Sequence, residues 1–530
     1  MKRRVLPLLL SVVQLLLWLS LLGLAPRAQR SGEEYRPVVL VHGFGASSDA
    51  WHAYLGPDGY LATVGLEGYA VGDGQVEGTL NTGSLTNPLQ RTNTIEENAR
   101  ILGDYISNVK RNTGAEQVDL VAHSMGGLIS RYYIHEVMDV RDVAQLIMLG
   151  SPQGGTSCAI LPSSLNFHLP ATLELRPDYI HNVFNRQVTR RKQVPFYIVA
   201  GDPIRQPIQS PCTEVPSDIV ISLESASGIE AEVRQVPVLH TDLNTSREVF
   251  EEEVKPLLLR ATDEIAPGPE REPERSQAPE ERLQFTRVYT GHVDANTTRE
   301  HTIHIEDNIA VASFGLFDPT RSLTVTVRGA TGNIIALDPI THGLRVVDDP
   351  ESLVYLGYGF ENPRPGPWKV TLQATGSTPP RGADYAITAR LEGGALLEAT
   401  SDTLVPEVGE EVDLALRLSL GAEVLPLSVA RATIQNAEGQ VERMALNPTE
   451  GAYHATWTPA VPGLYGIDIA VQGTTEEGTP IERSAFLSVY VQPVETRTRA
   501  ILSLFAIALA LLVVAAVARQ FLRRLRGRRT

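Results

Sequence analysis

The chain has 530 residues, of which 43% are hydrophobic and 20% charged, and its formal net charge is −16. That length allows two to four domains, and the composition excludes both a disordered chain and a polytopic membrane protein. So acidic a surface repels nucleic acid and gives no electrostatic help towards anionic lipid, so no nucleic-acid partner is expected.

Lys2-Arg3-Arg4 followed by the apolar run Val5 to Leu24 has the shape of a secretory signal, so residues 1–30 are read as a signal peptide or an uncleaved anchor. From Tyr35 to about Arg260, strand-like and helical runs alternate. The expected strands are Val38–Val41, Val118–Ala122, Ala144–Leu149 and Pro195–Ala200. Thr94 to Arg111 places Ile95, Ala99, Leu102, Tyr105, Ile106 and Val109 on one helical face, and a last helix follows Thr245. Such alternation predicts an α/β domain over 35–260, with a parallel sheet covered by helices. Both cysteines of the chain, Cys158 and Cys212, fall in this domain. An oxidising compartment permits a disulfide between them, and two buried thiols are the alternative. No cysteine, histidine or carboxylate group has metal-ligand spacing, so neither metal nor cofactor is expected.

Residues 261–282 carry four prolines among dense Glu and Arg, the composition of a solvated linker. Beyond it the periodicity becomes two, as in Leu323-Thr-Val-Thr-Val-Arg328 and Val412-Asp-Leu-Ala-Leu-Arg-Leu418. Two all-β sandwich-like modules are expected, over 283–391 and 392–493, the second resembling immunoglobulin-like sandwiches in its late strands. Trp368 and Trp457 sit at strand-like positions and are read as core. Residues 500–518 form an apolar run of about 28 Å as a helix, enough to cross a bilayer. Six arginines in 519–530 mark that tail as cytoplasmic, which places the rest of the chain outside a single-pass cell-membrane anchor.

The segment that carries chemistry is Val118-Asp-Leu-Val-Ala-His-Ser-Met-Gly-Gly127. An apolar strand runs into a serine flanked by small residues, Ala122 and Gly126, and a helical run follows. That is the pattern of a nucleophile elbow, in which a sharp strand-to-helix turn pushes the serine hydroxyl outward.

On this motif the chain resembles the α/β-hydrolase superfamily, and within it the bacterial serine lipases and esterases with an A-H-S-M-G elbow. The resemblance covers about 225 residues. It implies Ser124 as nucleophile, followed in chain order by an acid and a histidine base. His240, in Val236-Pro-Val-Leu-His-Thr-Asp242, stands where the family places its base. Asp218, in Pro216-Ser-Asp-Ile-Val-Ile221, resembles the lipase acid segment, and Asp202, directly after a strand, is the alternative acid. Asp242 is expected to cap the last helix. Val38-Val-Leu-Val-His-Gly-Phe-Gly45 resembles the family's H-G motif, which implies oxyanion donors at the backbone N–H groups of Phe44 and Met125, with His42 bracing the loop. Leu149-Gly-Ser-Pro-Gln-Gly-Gly-Thr156 resembles the lipase G-[ST]-P-H-G-G stretch with Gln153 in place of histidine. It opens an apolar insertion up to about Val194, read either as a lid or as a packed loop.

The expected function is a membrane-anchored extracytoplasmic serine hydrolase acting on acyl or lipid carboxylic esters. An acyltransferase would use the same triad. A surface adhesion protein, with its β modules binding cell-envelope material, is the alternative from another class.

Overall fold

Two apolar clusters, one on each face of a parallel sheet, organise the first half of the chain. The computed structural model describes residues 36–494 except 85–86, 88, 207–209, 211, 273–284, 336–344 and 347–355. The expected leader, the membrane helix at 500–518 and the basic tail therefore lie outside the described residues. The sheet contains β1 (Val38–Val41), β2 (Gly68–Ala70), β3 (Val118–His123), β4 (Val143–Leu149), β5 (Phe196–Gly201) and β6 (Glu232–Val236), in the order β2-β1-β3-β4-β5-β6. Every neighbouring pair is parallel. Side chains alternate across it. Val39, Val41, Leu120, Ala122 and Met148 join one cluster, while Val38, Leu40, Val121, Ile147 and Leu149 join the other. This is why these strands read as mostly apolar runs, interrupted by buried polar residues such as Asp119 and Gln145: both faces are covered.

Helix α1 (Ile95–Thr113) buries the predicted stripe against the first cluster. Its start is fixed by a capping box between Thr94 and Glu97, and it ends at Gly114 in the left-handed region. Helix α2 (Met125–Tyr132) leaves the end of β3.

The insertion after β4 folds into short helical turns, among them Ile160–Ser164, Ala171–Glu174 and Pro177–Tyr179. Most of its side chains are buried, so it forms a packed cap. Cys158 and Cys212 are bonded and tie the start of this cap to the loop after β5.

The linker departs from expectation at its near end. Residues 268–272 lie on the hydrolase domain, where Arg191 donates its backbone N–H to Glu270 and pairs its guanidinium with Glu272. The acidic residues that suggested solvation find a basic partner segment, Arg190-Arg191-Lys192.

The β modules differ from expectation too. They are not two closed units, because one nine-stranded antiparallel sheet runs through both. The strand Phe285–Val293 of the first meets the strand Pro480–Val491 of the second at Ser484 and Phe285. At that contact the edge strands of the two modules meet, which shortens the exposed row of backbone donors and acceptors on each. A three-stranded sheet closes the first sandwich and a five-stranded one the second. Trp368 and Trp457 are core residues. The joined modules also sit on the cap: Phe317, Ala386 and Leu464 belong to the same apolar cluster as Phe167, Leu169 and Leu173 of the cap.

Candidate active site

The turn between β3 and α2 places Ser124 at φ 54° and ψ −129°, backbone angles that cost a non-glycine residue energy. Its neighbours hold it there: Ser124 N–H donates to Leu149 O at 2.9 Å, and Gly127 N–H to Ser124 O at 3.1 Å. Met125 is the first residue of α2, so its N–H belongs to the donor-rich helix end.

A single cavity of about 20 Å³ is lined by Ser124, His240, Phe44, His123, Pro152, Thr156, Leu175, Val220 and Ile221. His240 lies on the far loop, between β6 and the last helical segment. Its Nδ1 is 2.8 Å from Asp218 Oδ2, with both side chains buried. His240 N–H also donates to Asp218 O at 3.1 Å. The other carboxylate oxygen, Oδ1, accepts the N–H groups of Val220 at 2.9 Å and Ile221 at 2.6 Å. Asp218 is thus aimed by the turn that follows it, and its contact with Nδ1 of His240 leaves Nε2 facing the cavity side of the ring as the proton acceptor.

Asp202, the alternative acid, is engaged elsewhere: its carboxylate pairs with Arg205. Asp242 does not cap the last helix. Ser246 does, accepting from Val249 N–H, because it stands directly before the first helical residue.

Gly43 brings the loop after β1 against Ser124. A Cβ there would lie 2.5 Å from Ser124 Cβ. Phe44 follows at the cavity wall. His42 lies below, its Nδ1 3.2 Å from Gly43 O, and burial pushes its pKa down to about 4, so it is neutral. Gln153 turns away from the cavity, accepting from Arg131 at 2.6 Å and donating to Ser151 at 2.7 Å. Pro152 supplies the cavity wall instead.

Three contributors escaped the sequence reading. Thr82 donates its hydroxyl to Gly43 O at 2.8 Å, and its carbonyl accepts Gly45 N–H at 3.0 Å, so it splints the loop after β1 from a segment with no motif. His123 Nε2 lies 2.9 Å from His240 O and must donate to it. Burial, reinforced by the neighbouring His240, holds the His123 pKa well below the usual imidazole range, so no second cation competes with a charged His240. Gly150, at φ +55°, leaves room for the dyad, since a Cβ there would lie 3.0 Å from His240 Nδ1 and 3.1 Å from Asp218 Oδ2. Its place in a Gly-Ser-Pro turn directly after a strand was the available signal.

A strained serine on a strand-to-helix turn, a buried His–Asp pair beside it and a parallel sheet behind both define the fold family. Residues 38–296 match the alpha/beta hydrolase family. The chain carries an α/β-hydrolase domain. Among solved structures, Bacillus licheniformis lipase BlEst2 in its propeptide form is similar over 87% of this chain and 96% of its own, at 14% identity and TM-score 0.58. Its mature form covers 43% of this chain at 16% identity and TM-score 0.33. A gene product of Listeria innocua covers 44% at 16% identity and TM-score 0.30. The first of these shows a fold shared beyond the hydrolase domain, across the β modules.

Proposed function

We propose that this chain is a serine carboxylic-ester hydrolase working through an acyl-enzyme on Ser124. The observation that carries the reading is the buried His240–Asp218 pair opening onto the same cavity as the strained Ser124. In this mechanism Ser124 Oγ attacks the ester carbonyl carbon and gives its proton to His240 Nε2. Asp218 holds the ring and stabilises its positive charge. The tetrahedral oxyanion takes the N–H groups of Phe44 and Met125. Collapse expels the alcohol, which receives the proton from His240. Water, deprotonated by the same imidazole, then attacks the acyl carbon and frees Ser124.

The cavity supports an acyl rather than a charged substrate, since Leu175, Val220, Ile221, Phe44 and Pro152 wall it. The lipase BlEst2 in its propeptide form shares the fold over most of the chain, the β modules included. We further place the enzyme on the outer face of a membrane. The Cys158–Cys212 bond and the apolar run at 500–518 with its arginine-rich tail favour this placement.

Turnover of p-nitrophenyl acetate, beside covalent labelling of Ser124 by a fluorophosphonate, tests the chemistry. Hydrolysis and labelling that both vanish in Ser124→Ala are expected. Labelling without hydrolysis would point to acyl transfer to another acceptor, and the absence of both would remove the hydrolase reading. Protease accessibility of the hydrolase domain in intact cells tests the placement.

A further inference from the structure

Leu175 and Arg176 are adjacent in the cap but serve different masters. Leu175 lines the cavity that holds Ser124 and His240. Arg176, completely buried, reaches the other way and lies 2.9 Å from Asp468 of the second β module. Its guanidinium also donates to Ser163 Oγ at 2.6 Å and lies over the Phe486 ring at 5.7 Å. Asp468 in turn accepts from Ser164 of the cap at 3.2 Å.

The underside of this pair is equally constrained. Thr156 N–H donates to Leu175 O at 2.7 Å, and the Thr156 hydroxyl donates to Val220 O at 2.6 Å, on the turn that aims Asp218. Gly155, at φ +84°, lets that strand exit pass beneath, since a Cβ there would lie 2.5 Å from Pro177 Cα. The Gly-Gly-Thr end of the 149–156 motif therefore seats Leu175 from below while Asp468 holds Arg176 from above.

The cavity beside Ser124, about 20 Å³, suits a group the size of a methyl or a water. An acyl chain of several carbons needs more room than this, and Leu175 is the cap leucine on its wall. Withdrawal of Leu175 would pull the adjacent buried Arg176 away from the Asp468 carboxylate, which is unfavourable unless water replaces it.

We propose that Leu175 sets the acyl-chain length, and that Asp468 of the second β module keeps it in place through Arg176. This rests on the ester-hydrolase reading and names its substrate class: short-chain acyl esters. Leu175 is the specificity-determining residue, and Arg176 and Asp468 are positioning residues acting through it.

The test is a series of p-nitrophenyl esters from acetate to octanoate on the full chain, its Leu175→Ala variant and its Asp468→Asn variant. The wild type should prefer acetate. In Leu175→Ala the octanoate-to-acetate ratio of kcat/KM should rise by about tenfold or more, as one cleared methylene-sized obstacle after another is worth 10- to 200-fold. Asp468→Asn should raise the same ratio in the same direction. Arg176→Met, which removes the buried cation and needs no carboxylate, should abolish the sensitivity to Asp468→Asn in the double variant. Unchanged ratios in folded Leu175→Ala protein would overturn the proposal. So would a wild type that already prefers octanoate. A wild type that hydrolyses no ester at all yet labels at Ser124 would instead remove the reading on which the proposal stands.

Discussion

A carboxylate can hold a catalytic histidine only across a direct hydrogen bond, and that requirement separates two aspartates with similar sequence credentials. Both Asp202 and Asp218 are buried on loops leaving the carboxyl end of the sheet. Only Asp218 reaches His240 Nδ1, and its second oxygen is already committed to two backbone N–H groups. Asp218→Asn should therefore leave the fold in place and lower kcat on p-nitrophenyl acetate by about 10³- to 10⁴-fold, since an amide presents the wrong partner to the imidazole. Asp202→Asn loses a pair with a largely exposed arginine and should change kcat by no more than a few-fold. Equal losses in the two variants would refute the assignment. The oxyanion loop gives a second test at this scale. Gly43→Ala puts a methyl 2.5 Å from Ser124 Cβ, so loop or nucleophile must shift. A fall in kcat of about 10²-fold or more is expected, measured beside an unfolding midpoint that stays close to wild type.

At the scale of elements, periodicity carried most of what was legible. The mostly apolar runs of β1, β3, β4 and β5 and the 3.6-residue stripe of α1 mark a double-sided core. β2 and β6 escaped notice for physical reasons. β2 has only three residues, and β6, Glu232-Val-Arg-Gln-Val236, is a partly exposed edge strand whose polar residues face water. The cap illustrates a different limit: its apolar residues were visible, but whether they covered a pocket or packed as a loop depended on partners far away in sequence. One such partner is Ile95, whose N–H at the start of α1 donates to the Glu174 carboxylate of the cap at 2.8 Å. Burial raises the Glu174 pKa to about 8, well above its ordinary 4.5, so the folded cap prefers the protonated acid. The sign follows by linkage. Between about pH 4.5 and 8 the unfolded chain loses this proton while the folded chain keeps it, so stability falls as pH rises through that window. Glu174→Gln, neutral throughout, should flatten the fall and raise the midpoint by a few degrees at pH 8.5, with little change at pH 4.5. Thermal unfolding at the two pH values decides it, and a steeper fall in the variant would contradict the argument. The cap's other tether, the disulfide, closes 54 residues of sequence. By loop entropy it should contribute about 4 kcal/mol at most, read as the stability lost in a Cys158→Ser, Cys212→Ser double variant.

At the scale of the whole molecule, the unexpected feature is that two β modules share one sheet. Sequence periodicity marks each strand and its inward face, but it does not say which edge strand pairs with which. That choice was therefore illegible between Phe285–Val293 and Pro480–Val491. The seam has a polar keystone. Arg483, from the second module, pairs with Glu306 of the first, both buried, and donates Nε to Ala395 O at 2.9 Å. Glu306 also accepts Ala395 N–H at 3.0 Å, so the pair spans the point where one module hands over to the next. Glu306→Ala would leave an uncompensated cation in the seam, a loss of about 3–5 kcal/mol, whereas Glu306→Leu combined with Arg483→Met removes both charges and should recover most of it. Calorimetry distinguishes a shared sheet from two tethered domains. If the continuous sheet makes the modules one cooperative unit, Glu306→Ala lowers a single β transition as a whole. If the modules unfold independently, the same variant splits the transition, with one part staying at its wild-type temperature. The first outcome would also mean that Asp468, on a central strand of this sheet, is borne by a rigid frame. Such a frame would hold Arg176 in place, and through it the leucine proposed to set the acyl-chain length.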